Sequence, residues 1–183
     1  MSTMKSLVII KGNYLQKISN ILQLLGFEVL EETYEANNWD MVDNLYDKFY
    51  NHHKKEKEAK NSDKTFKWVY SWLQNGWTVI DLDIIMYAVM NHNELIEMSS
   101  LYNTEIFNII IEEDSISYGF ALFKNNEKIR EFICSDGDIV RNIGEPLPQE
   151  KRFQINENIH MADIVGLTKK ICIDYNKIDN LNQ

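Results

Sequence analysis

Two periodicities, strict alternation and three-to-four spacing, run through this chain and lay out its elements. Leu7-Val8-Ile9-Ile10 is a short unbroken apolar run, the pattern of a buried strand. Tyr14, Leu15, Ile18, Ile21, Leu22 and Leu25 then recur at helical spacing, and Gly26 stands where a helix can end at little steric cost. Phe27 to Thr33 partly alternates, so the chain opens as strand, helix, strand. Trp39, Val42, Leu45, Tyr46, Phe49 and Tyr50 write a second amphipathic helix, with Asn37 as its N-terminal cap. The stripe fades at His52, and residues 53–64 are almost wholly polar, a helical extension in solvent or a loop.

Phe66 to Leu73 and Trp77 to Leu82 are rich in β-formers and are separated by Asn75-Gly76. That dipeptide is a strong hairpin signal, because both residues of a tight two-residue turn must accept positive φ. A two-residue loop sets Trp72 across from Val79, and Trp68, Tyr70 and Trp72 on one face of their strand. Such a row of rings reads first as core and second as a ligand platform.

Ile84 to Tyr102 carries helical spacing in two pieces. Asn93 is the expected cap of the second, with Leu95, Ile96, Met98, Leu101 and Tyr102 facing the core. A meander follows. Glu105 to Glu112 is apolar on both faces, as a central strand would be; Ser115 to Lys124 alternates, turns at Asn125-Asn126 and returns as Glu127 to Ser135. Asp136 to His160 reads as irregular, Met161 to Ile173 as a last helix, and residues 174–183 as a polar tail. The predicted fold is α+β: one domain over residues 1–173, with a mostly antiparallel sheet of about six or seven strands and helices covering one face.

Composition narrows the partners. With 183 residues and 44% hydrophobic content the chain can close a sizeable core. Its net charge of −9 repels phosphate backbones and anionic lipid, which disfavours nucleic acid and membrane as partners. The densest cationic run, His52 to Lys60, is diluted by two glutamates and suits the solvated end of a helix. Met1 to Lys11 lacks the apolar stretch of a signal peptide, so the expected location is the cytoplasm. Cys134 and Cys172 suit small core residues better than a disulfide framework or a thiolate metal site.

The familiar nucleotide, nucleophile-elbow and zinc-helix patterns do not occur, and no cofactor is implied. Adjacent histidines at 52 and 53 diverge on a helix; His92 reads as a solvated turn residue and His160 as a capping or surface residue. Asp81-x-Asp83 at a strand end and Glu112-Glu113-Asp114 at a strand turn offer hard oxygen ligands for a divalent cation, although turns favour such residues for local hydrogen bonding alone.

Arg130-x-Phe132, Asp136-Gly137 and Ile143-Gly144-Glu145-x-Leu147-x-x-Glu150 follow one another closely, with Ser117-Tyr118-Gly119-Phe120 on the preceding strand. In this last third the chain resembles bacterial domains of unknown function that carry an arginine on a strand, an Asp-Gly turn and a Gly-Glu-x-Leu-x-x-Glu segment. Gln149 departs from that pattern, where the family often has an aromatic. In general character the chain is also similar to small acidic α+β proteins that protect bacteria from toxins, a resemblance that implies an interaction module rather than an enzyme. From the residues themselves, Arg130 on a strand is expected to pair with Glu145 or Glu150 and pin the following segment to the sheet.

The leading expectation is a non-enzymatic protein-binding module, an immunity-type protein whose acidic surface neutralises a basic toxin. Arg130, Glu145, Glu150, Trp68 and Trp72 are its candidate binding residues. Two alternatives stand beside it: a divalent-metal-dependent hydrolase using Asp81 and Asp83, and an oligomeric scaffold with Trp68, Trp72 or Trp77 in its contact surface.

Overall fold

The computed structural model describes residues 4–27, 29, 40–41, 44–45, 47–48, 69–82, 92–153 and 159–174. The chain forms two compact units, residues 1–29 with 69–175 and residues 30–68 with 176–183. In the second unit the described residues are helical, in the stretch where the Trp39-to-Tyr50 stripe predicts a helix. The strand expected over Phe27 to Thr33, the polar stretch 53–64, Phe66 to Trp68, the helical piece from Ile84 and the tail beyond residue 174 lie largely or wholly outside the described residues.

The first unit is built on a seven-stranded sheet of order β2-β3-β1-β4-β5-β6-β7. The strands are β1 (Met4–Lys11), β2 (Tyr70–Gln74), β3 (Trp77–Leu82), β4 (Ile106–Glu112), β5 (Ser117–Lys124), β6 (Glu127–Ser135) and β7 (Asp138–Ile143). All neighbours are antiparallel. The helices are α1 (Ile18–Leu24), entered through a 3-10 turn at Leu15–Lys17, α2 (His92–Leu101) and α3 (Met161–Ile171). The fold is therefore α+β, with β1 and β4 in its interior as their unbroken apolar runs require.

Three tight turns join the strands, each with both residues at positive φ: Asn75 (51°) and Gly76 (78°), Asn125 (52°) and Asn126 (65°), Asp136 (53°) and Gly137 (84°). Their twist matches that of the strands they connect. The first fixes the predicted register, with Trp72 across from Val79. The third corrects the expectation of an irregular segment after Asp136, because β7 follows it and pairs with β6. Its alternation is hard to read: Ile133 pairs with Arg141 and Cys134 with Ile139, so Val140 is an extra residue that breaks the period.

Each face of the sheet carries its own core. Val8, Ile10, Ile80, Leu82, Ile106, Ala121 and Phe123 meet Ile21, Leu22 and Leu25 near α1 and Leu95 and Met98 of α2 on the first face. Leu7, Ile9, Val79, Phe107, Ile109, Phe120 and Phe132 point to the second face and are also fully buried. That side holds α3, so helices pack on both faces and not on the one face expected; the entry of α3 is fixed where the Tyr118 hydroxyl donates to the Ile159 carbonyl at 2.9 Å. Two details of α2 differ from expectation. The helix begins at His92, so Asn93 lies inside its first turn, and Leu101 is 64% exposed while Ser99 is buried. At about 100° per residue Leu101 falls about 120° away from Leu95, off the apolar stripe.

Candidate functional site

The largest fully buried side chain of the described residues is an arginine, Arg130 on the second face of β6. A buried guanidinium must be paired and hydrogen-bonded throughout, and the sequence after β7 supplies the partners. Gly144, at φ 82°, lets the chain fold back over β6; a Cβ there would stand 2.1 Å from the Ile129 carbonyl oxygen. The returning segment carries Glu150 at the start of a 3-10 turn, Glu150–Arg152. Arg130 Nε and Nη2 each donate to one carboxylate oxygen of Glu150, both at 2.9 Å.

The remaining donors are committed as well. Nη1 donates to Asn142 Oδ1 at 2.7 Å, to the Ile143 carbonyl at 2.9 Å and to the Glu131 carbonyl at 3.0 Å. The guanidinium also lies 5.8 Å from the centre of the Phe120 ring. Glu150 Oε1 accepts the Leu147 N–H at 2.8 Å. Of the two glutamates considered for Arg130, Glu150 is the partner and Glu145 is exposed. Every guanidinium nitrogen is in use, so the pair acts as a clamp that holds residues 144–153 on the sheet.

One residue further along β6, Glu131 points to the first face with its side chain fully buried. Lys128 reaches it at 2.7 Å, Arg141 at 3.3 Å and His92 Nδ1 at 3.5 Å. A register shift between β5 and β6 sets Lys128 opposite Phe123 and beside Glu131. His92 is therefore a half-buried residue of α2, edge-on to Phe123 at 5.3 Å between centroids, and not the solvated turn residue expected. Burial and the nearby Lys128 hold its pKa below the ordinary 6.5, against the pull of Glu131. Sequence reasoning missed this cluster; the one local signal was the Lys128 and Glu131 spacing, which becomes a contact only through the bulge.

The two ends of the sheet differ in charge. At one end, Lys11 and Lys124 share Glu105 at 2.9 and 2.8 Å, which holds that carboxyl below its ordinary range. At the other end the β4–β5 turn carries Glu112, Glu113 and Asp114, and the β6–β7 turn carries Asp136 and Asp138. The Ser117 and Ser135 hydroxyls, 3.3 Å apart, tie these turns together. Among the carboxylates stands Ile116, 56% exposed and at φ 47°, a conformation a β-branched residue rarely adopts.

The other predicted residues are dispersed. Trp72 is half-buried, its indole donating to Gln74 Oε1 at 3.3 Å, and Trp77 is buried. Asp81 receives Lys5 Nζ at 2.8 Å on the second face. Trp68 and Asp83 lie outside the described residues. Among the described residues no group of three His, Cys, Asp or Glu side chains is placed to hold a metal ion, and no helix is long and apolar enough to cross a membrane. His160 stands at the N-cap of α3 and donates its backbone N–H to the Asp163 carboxylate at 2.8 Å. Comparison with known proteins finds no match to a family model, a curated protein or a solved structure.

Proposed function

We propose that this chain is a non-enzymatic protein-binding module that receives a basic protein partner, in the manner of an immunity-type protein neutralising a toxin, at the carboxylate-bearing end of its sheet. The observation that carries this reading is Ile116: an exposed apolar side chain, held at positive φ, in the turn that carries Glu113 and Asp114, which Ser117 and Ser135 tie to the turn that carries Asp136 and Asp138. An apolar anchor within a charged rim is the anatomy of a recognition surface, the rim steering encounter and the anchor supplying contact area. Strain held at an exposed position points the same way, since such conformations gather at functional sites. Arg130 and Glu150 hold the segment that follows β7, toward the opposite end of β6 from these turns, and are not part of this surface.

The test is capture from the native lysate by the wild-type chain and by a chain with Glu113, Asp114, Asp136 and Asp138 all replaced by lysine. A basic protein held by the wild type at low salt, released by added salt and absent from the reversed chain would support the proposal. Equal capture by both chains would sink it.

A further inference from the structure

Among the described residues, two polar atoms in the interior of the sheet's first face, Ser6 Oγ and Asn108 Oδ1, have no hydrogen-bond partner. Both residues are 0% exposed. They lie on the adjacent strands β1 and β4, where Ser6 pairs with Ile110 and Val8 with Asn108, so both side chains rise from the same face one step apart. The Asn108 amide is not free to turn. Its Nδ2 donates to the Leu7 carbonyl at 3.0 Å, and since that carbonyl only accepts, the oxygen of the amide must be the end left over. This bond also draws the amide onto β1, over the peptide next to Ser6.

The face is otherwise apolar around them: Leu82 and Ile110 flank Ser6, and Val8 and Ala121 flank Asn108. Two polar atoms rising side by side from an apolar floor supply the polar partners that an internal hydration site requires. We propose that Ser6 Oγ and Asn108 Oδ1 bind one ordered water molecule, which donates to Asn108 and exchanges a hydrogen bond with the Ser6 hydroxyl. A neutral donor suits the site. The buried carboxylate on the same face, Glu131, is two strands away and already matched by Lys128 and Arg141. Such a bridge also favours the observed register of the central strands, because a slip of one residue would turn Asn108 toward the apolar second face.

The sign of a stability change separates this proposal from a dry pair. In a dry site Ser6→Ala removes an unsatisfied hydroxyl and raises the Tm. In a hydrated site it removes a partner of the water, and the Tm of the whole chain falls by about 2–4 °C. Because the bridge is shared, Ser6→Ala and Asn108→Leu should be non-additive when combined. Oxygen-17 relaxation dispersion on the full chain should lose one long-lived internal water in either variant. A Ser6→Ala chain that melts higher than wild type, or that keeps the same number of long-lived waters, overturns the proposal.

Discussion

Arg130 and Glu150 stand 20 residues apart in sequence and meet through two parallel hydrogen bonds of 2.9 Å, with side chains 1% and 2% exposed. The planar fork of the guanidinium matches the carboxylate in a way no ammonium can. The bond ties β6 to a segment that has no strand or long helix of its own, so residues 144–153 owe their place to this contact more than to apolar burial.

Glu150→Gln should therefore cost roughly 3–5 kcal/mol in urea unfolding, since it leaves a buried guanidinium without its counter-charge. Arg130→Lys should not rescue the fold, because one ammonium cannot replace donors on three nitrogens. Replacing both residues by apolar ones of similar size should cost much less than the sum of the single changes.

Gly144→Ala should be nearly as damaging as losing the clamp. The added Cβ would meet the Ile129 carbonyl oxygen at 2.1 Å, and the φ of 82° is itself unfavourable for alanine. Amide exchange should show the loss first in β7 and the segment after it, before the strands around β1.

Alkali should lower the stability of the chain over two overlapping pH ranges. Burial pushes the Cys172 thiol up to about 12 from an ordinary 9.0, and burial beside Cys134 pushes the Tyr118 phenol up to about 12 from 10.0. Both groups ionise more readily in the unfolded chain, so the stability they supply is fully present below pH 9 and is lost as pH rises toward 12. The slope is on the order of 1.4 kcal/mol per pH unit for each group. Cys172→Ala should flatten the curve between pH 9 and 10, which denaturant midpoints measured across that range will show.

Acid works through His92. Burial first, and Lys128 second, keep its folded pKa below 6.5, so the unfolded chain takes up the proton first as the pH falls. The stability tied to neutral His92 is complete above 6.5 and is lost as pH drops through the lower folded value. His92→Phe should remove that part of the pH dependence, as read from melting temperatures between pH 7 and 5.

Ile116→Gly should raise stability by about 1 kcal/mol, the direction opposite to that of most substitutions of a large apolar residue. The side chain buries little, and glycine adopts φ 47° without strain, which offsets its own entropic cost. If Ile116 is held for recognition, the same change should weaken partner binding while the fold gains, a trade seen where strain serves function.

Much of the sheet could be read from the residues because local signals there were strong and agreed with one another. Asn75-Gly76 fixed a turn whose geometry left one register, and Trp72 against Val79 follows from it. That Arg130 would pair with an acid of the following segment was legible, because a strand arginine needs one, but the choice between Glu145 and Glu150 came only with the structure. What escaped depended on breaks in periodicity or on distant packing. β7 hides behind the extra residue Val140 and is mostly exposed, so no apolar stripe announces it. Glu131 looks like any outward-facing strand residue, and only the approach of His92 and the bulge beside Lys128 bury it with partners. The recognition surface proposed around Ile116 left no trace in spacing at all, since backbone strain appears only once the turn is closed.

The most direct measurement is the association rate between the chain and its captured basic partner as ionic strength is varied, for the wild type and the four-lysine variant. Steering by the carboxylate end should give the wild type a rate that falls steeply as salt rises from 10 to 150 mM, roughly a Debye length of 30 Å shrinking to 8 Å. The variant should be slower at low salt and show little or reversed dependence. Equal rates for the two chains across that range would contradict a role for this end of the sheet in recognition.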